Sequence, residues 1–214
     1  MDVLRIDDGL WRWSTRYGEW GEDVGCLYVE TRDAVVLVDP LLPEEPGEEE
    51  RFWRALDRDV HRAGVPVHVL VTVFWHTRSA ARMVERYDAR VHAMSRGRAA
   101  IARRAGTIHD TYRAGATLPA GIEALQTARS NEVVFWLSEH RALAFGDVVL
   151  GASEGGLRLC PSSWLPAGID HERLRDSLRP LLELPVERVL VSHGRPVLSG
   201  GHAALASVLG AGGA

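Results

Sequence analysis

Residues 34–38 read Ala-Val-Val-Leu-Val and stop at Asp39-Pro40. An apolar, β-branched run of this length reads as a buried strand ending at a loop. Three more apolar stretches end the same way. Residues 67–74 (VHVLVTVF) run into His76, residues 143–145 run into Gly146-Asp147, and residues 189–191 run into Ser192-His193-Gly194. A chain whose buried strands each end on a polar group must carry a layered sheet structure with its chemistry at strand ends.

The other elements fall around these four. Residues 10–13 and 24–30 alternate like strands. Residues 50–63 carry Phe52, Trp53, Leu56 and Val60 at helical spacing, with Gly64 as the stop. The acidic loop EEPGEEE (44–50) leads into that helix, where acids suit the positive end of the dipole. Further helices are predicted over 79–87 (with Ser79 as N-cap), 95–105, 170–184 and 201–209. Short strands are predicted over 90–93, 111–112, 122–126, 133–137 and 148–150. Antiparallel meanders mixed with crossover helices predict an α+β protein. Its expected form is a four-layer αββα sandwich, two mixed β-sheets flanked by helices, built as one domain over 1–209 with a frayed tail at 210–214.

Composition narrows the chemistry. The chain has 214 residues, a formal charge of -4, and 25 basic residues of which none is lysine. Schiff-base chemistry, pyridoxal-phosphate attachment and Walker-type phosphate loops are excluded, because each needs the missing amine. The acidic balance argues against a nucleic-acid partner. The arginine-rich segment 95–105 lacks aromatic interleaving and reads as a solvated face. No apolar run reaches the ~18 residues of a membrane span, and no long apolar stretch opens the chain, so no membrane association and a cytoplasmic location are expected. Cys26 and Cys160 form no CxxC pair and are expected to be buried free thiols.

Taken in order, Val38-Asp39-Pro40, Thr72 through Ser79, Gly146-Asp147 and Ser192-His193-Gly194 resemble the metallo-β-lactamase superfamily over roughly residues 10 to 208. The resemblance implies the αββα sandwich and a metal centre built on a Thr-His-x-His-x-Asp-His motif. Aligned on Thr72, the four ligand positions of that motif hold Val73, Trp75, Thr77 and Arg78. The position of the family's hairpin histidine falls at Thr127-Ala128-Arg129-Ser130. Asp147 and His193 match family ligands, and His76 is the candidate third.

Two functions follow from that resemblance. A guanidinium ~4 Å from a divalent ion would cost about 8 kcal/mol at an effective dielectric near 20. Arg78 and Arg129 therefore point to a metal-free protein with no cofactor, in which Arg78, Arg129 and Ser130 bind a small anionic molecule, or which engages a partner protein. In that reading Trp75 fills the space of the open metal position. The alternative is a metallo-hydrolase acting on an ester, thioester or phosphoester. There His76, Asp147 and His193 are the catalytic residues and hold one zinc, iron or manganese ion. The remaining histidines (61, 92, 109, 140, 171 and 202) are expected at the surface or on helices.

Overall fold

The computed structural model describes residues 1–106 and 108–210. Of the tail expected over 210–214, only Gly210 lies within the described residues. The chain divides into two compact units, Met1–Tyr112 and Arg113–Ala214.

The first unit is a seven-stranded mixed sheet in sequential order. Its strands are β1 (Asp2–Asp7), β2 (Leu10–Tyr17), β3 (Glu22–Glu30), β4 (Val35–Val38), β5 (Val67–Leu70), β6 (Arg90–Met94) and β7 (Asp110–Tyr112). β1 to β4 are an antiparallel meander, and β4 to β7 run parallel. The crossovers carry α1 (Pro46–Ala63), α2 (Ala80–Tyr87) and α3 (Arg98–Ala105). α1 starts on Pro46, whose missing N–H costs nothing there, and ends on Gly64, left-handed at φ 63°. Its Phe52, Trp53 and Leu56 pack with Trp13, Tyr28, Leu37, Val69 and Met83 in one core.

The second unit has a four-stranded sheet in the order β13-β10-β9-β8 and a two-stranded ribbon. The strands are β8 (Glu123–Gln126), β9 (Val133–Leu137), β10 (Ala142–Phe145), β11 (Val149–Gly151), β12 (Leu157–Leu159) and β13 (Arg188–Val191). β10 and β13 are parallel; β8, β9 and β10 are antiparallel. α4 (His171–Leu178) and α5 (Gly201–Val208) supply Leu174, Leu178 and Leu205 to a core with Trp136, Leu143, Phe145 and Val191. The molecule is thus α+β with two main mixed sheets and helices, as the sequence predicts.

Several boundaries differ. The strand expected over 67–74 stops at Leu70 and continues as a 3-10 turn, Phe74–Thr77. Ser79 precedes α2 but makes no side-chain cap; its hydroxyl accepts from the Leu42 N–H at 2.9 Å. The helix expected over 170–184 ends at Leu178 and tightens into a 3-10 segment, Arg179–Glu183, because Pro180 has no N–H to donate. β1 and β12 carry no clear apolar signal, so the sequence predicts neither. Both cysteines are buried free thiols, and burial pushes each thiol pKa up to about 11.

Candidate functional site

In the first unit the parallel pairing of β4 and β5 sets the local chemistry. Val38 is in register with Leu70, so the residues following each strand emerge side by side. The Asp39 N–H donates to the Leu70 carbonyl at 3.0 Å. The Asp39 carboxylate then collects three donors. Oδ1 accepts from the Thr72 N–H at 2.8 Å, and Oδ2 accepts from the Thr72 hydroxyl at 2.5 Å. His76 Nδ1 lies 2.9 Å from the same Oδ2. All three residues are at most 3% exposed, so this carboxylate–imidazole contact is made away from bulk water. A carboxylate accepts only, so Nδ1 carries a proton in this contact.

The backbone here is strained. Asp39 sits at φ 50° and Arg78 at φ 32°, a region non-glycine residues rarely adopt. Arg78 Nη1 donates to the Asp39 carbonyl at 3.3 Å, and its guanidinium lies 5.9 Å from the Tyr17 ring centre. The half-buried Trp75 packs edge-on to Phe74, ring centres 4.6 Å apart.

In the second unit the parallel pair β10 and β13 does the same job. Phe145 is in register with Val191, which brings Asp147 and His193, each two residues further on, alongside one another. Asp147 Oδ1 and His193 Nε2 are 3.3 Å apart. His193 is fixed from behind: its carbonyl accepts from the Gly151 N–H at 2.9 Å. The backbones of 151 and 194 approach so closely that a Cβ on Gly194 would lie 2.7 Å from the Gly151 oxygen. Trp164 stands edge-on to the His193 ring at 6.0 Å.

Asp147 is held by a residue the sequence pattern does not single out. The fully buried Glu132 accepts from the Asp147 N–H at 2.6 Å and the Val148 N–H at 2.9 Å through Oε1. Its Oε2 accepts from Arg129 Nη1 at 2.9 Å. Burial, with the Asp147 carboxylate second, pushes the Glu132 pKa up to about 7, while Arg129 and the two amides oppose the rise. A signal for Glu132 exists: an Arg–Glu pair three apart directly precedes five apolar residues, and an acid there needs a reason.

No family model matches the chain, and no curated protein matches it. Solved structures do. A metallo-β-lactamase from Pontibacter korlensis aligns at a TM-score of 0.70 and 21% identity, covering 98% of each chain. One from Erythrobacter litoralis aligns at 0.69 and 15%, covering 98% of this chain and 95% of the other. FIM-1 from Pseudomonas aeruginosa, in its mono-zinc form, aligns at 0.68 and 12%, covering 98% and 94%. The chain has the metallo-β-lactamase fold.

With the metallo-β-lactamase fold established, each residue the resemblance points to has a definite setting. His76 stands with Asp39 and Thr72 in the first unit. Asp147 stands with His193 in the second. Val73 and Thr77 are buried, and the Thr77 hydroxyl donates to the Phe74 carbonyl. Arg129 is buried against Glu132, while Ser130 is exposed in the turn between β8 and β9. His92, expected at the surface or on a helix, is instead a buried residue of β6, its Nε2 2.9 Å from His68 Nδ1.

Proposed function

We propose that this protein is a hydrolase with a reduced, mononuclear metal centre to which Asp147 and His193 supply ligands, His76 being the third candidate that the sequence resemblance adds. The observation that carries this reading is the 3.3 Å separation of Asp147 Oδ1 and His193 Nε2. Charge-assisted N–H···O contacts are usually about 2.7–2.9 Å. Two ligand atoms each about 2.0–2.1 Å from one tetrahedral ion are instead about 3.3 Å apart. The donor set fits as well: an imidazole backed by a buried carboxylate, as His76 is by Asp39, is the usual state of a metal-bound histidine.

When bound, a divalent ion supplies Lewis acidity and a water whose pKa falls to about 7. The protein's own groups supply the rest. Asp39 keeps a proton of His76 on Nδ1, so Nε2 is the atom that His76 would offer an ion. Asp147 provides the negative charge that a cation needs and stands ready to orient a water or receive its proton. Arg78, tethered to the Asp39 carbonyl, is the anion-binding side chain for the substrate. The reaction class is hydrolysis of an ester, thioester or phosphoester bearing a negative group. Arg129 takes no part in binding in this reading, since Glu132 engages it.

The test is elemental analysis of protein purified without chelator, followed by zinc titration and a panel of p-nitrophenyl esters, a thioester and bis-p-nitrophenyl phosphate. About one ion per chain is expected, lost in Asp147→Ala and His193→Ala. Hydrolysis of at least one substrate should fall at least 100-fold in both variants. Protein that neither retains nor takes up metal would overturn the reading.

A further inference from the structure

We infer that Glu132 and Arg129 form a buried clamp whose work is to position Asp147. Two observations lead there. First, one Glu132 oxygen accepts the two consecutive amides of Asp147 and Val148, at 2.6 and 2.9 Å, so it fixes the turn from which the Asp147 side chain springs. Second, the clamp is built into its own loop. The Glu132 N–H donates to the Arg129 carbonyl at 3.1 Å, and the Arg129 N–H donates to the Thr127 hydroxyl at 3.0 Å. The Ala128 N–H donates to Ser177 Oγ at 2.9 Å, tying the loop to α4.

A turn needing only acceptors for two amides could use a neutral carbonyl. A charged pair buried purely for stability gains little, since desolvation cancels most of its attraction. The arrangement makes sense if the turn must be held rigidly, so that Asp147 keeps one orientation toward a cation that it contacts. Glu132 touches no substrate in this scheme; it is a positioning residue acting through Asp147. The cation rests on the reading proposed above; the clamp itself does not.

The experiment separates the two. Amide hydrogen exchange is measured on metal-free protein for wild type, Glu132→Ala, Glu132→Gln and Arg129→Met, with zinc titration of each. In Glu132→Ala the Asp147 and Val148 amides should exchange at least tenfold faster while amides of β9 and β13 stay unchanged. Glu132→Gln, which keeps an acceptor oxygen, should restore protection. Zinc affinity should fall about 10- to 100-fold in Glu132→Ala and Arg129→Met, the usual range for a group supporting a ligand. Exchange that quickens uniformly along the chain would mean a merely structural role and would overturn the inference. Wild-type zinc binding that survives undiminished in Glu132→Ala would do the same. If wild type binds no zinc, the proposed function falls, and the exchange pattern alone decides the clamp.

Discussion

Asp39 shows how much one carboxylate organises. It satisfies an amide, a hydroxyl and an imidazole within a shell that excludes bulk water. Asp39→Ala leaves those donors buried without an acceptor, and each such loss costs about 1–3 kcal/mol. Asp39→Ala is therefore expected to lower unfolding free energy in urea by at least roughly 3 kcal/mol, and Thr72→Val by about 1 kcal/mol. A change under half a kcal/mol for Asp39→Ala would show that water replaces the carboxylate. At this scale the sequence was partly legible. Asp39, Asp147 and His193 stand out because a polar residue closing a buried apolar strand is conspicuous. Glu132 stands out less, because two of its partners are backbone amides 15 and 16 positions away, and only its pairing with Arg129 three residues earlier leaves a trace in the sequence.

Among elements, the parallel pairs β4–β5 and β10–β13 matter most, since each sets two strand ends together in register. Their existence was readable from all-apolar runs. Where β5 stops was not, because the Thr72 N–H bonds a side chain rather than a neighbouring strand. β1 escaped notice because charged residues interleave with its apolar ones on an exposed edge. The loop after β13 depends on a glycine for two reasons at once. Gly194 has φ 83°, and its missing Cβ makes room for Gly151. Gly155 has φ 96° with nothing within 4 Å, so it isolates the conformational part. Left-handed backbone costs a non-glycine residue about 1–2 kcal/mol. Gly155→Ala is expected to lose about that much stability and keep zinc affinity. Gly194→Ala should lose more, by calorimetry, and weaken zinc uptake at least tenfold, because His193 is its neighbour. Equal effects from both variants would remove any special role for the close approach.

At the scale of the whole molecule, two buried groups pull the acid response in opposite directions. His92 faces His68, Asp110, Arg90 and His109, and burial, reinforced by His68, pushes its pKa down to about 4. An unfolded histidine titrates near 6.5. Between those values the unfolded chain binds the proton that the folded chain refuses, so stability falls as pH drops. The fall is about 1.4 kcal/mol per pH unit, roughly 3 kcal/mol in all. Glu132 works the other way. Its pKa is pushed up to about 7, so the folded chain holds a proton that the unfolded carboxyl has released, and stability falls as pH rises from about 4.5 to 7. Across the shared window the two slopes offset one another, while His68, whose pKa burial also lowers, adds to the His92 side, so wild-type stability in urea should fall only gently on acidification. Glu132→Gln removes one slope and exposes the other, so its stability should fall steeply on acidification from pH 6.5 to 4.5. His92→Gln should become more stable over the same interval. If both variants follow wild type in parallel, the acid response belongs to other groups, and neither burial governs it.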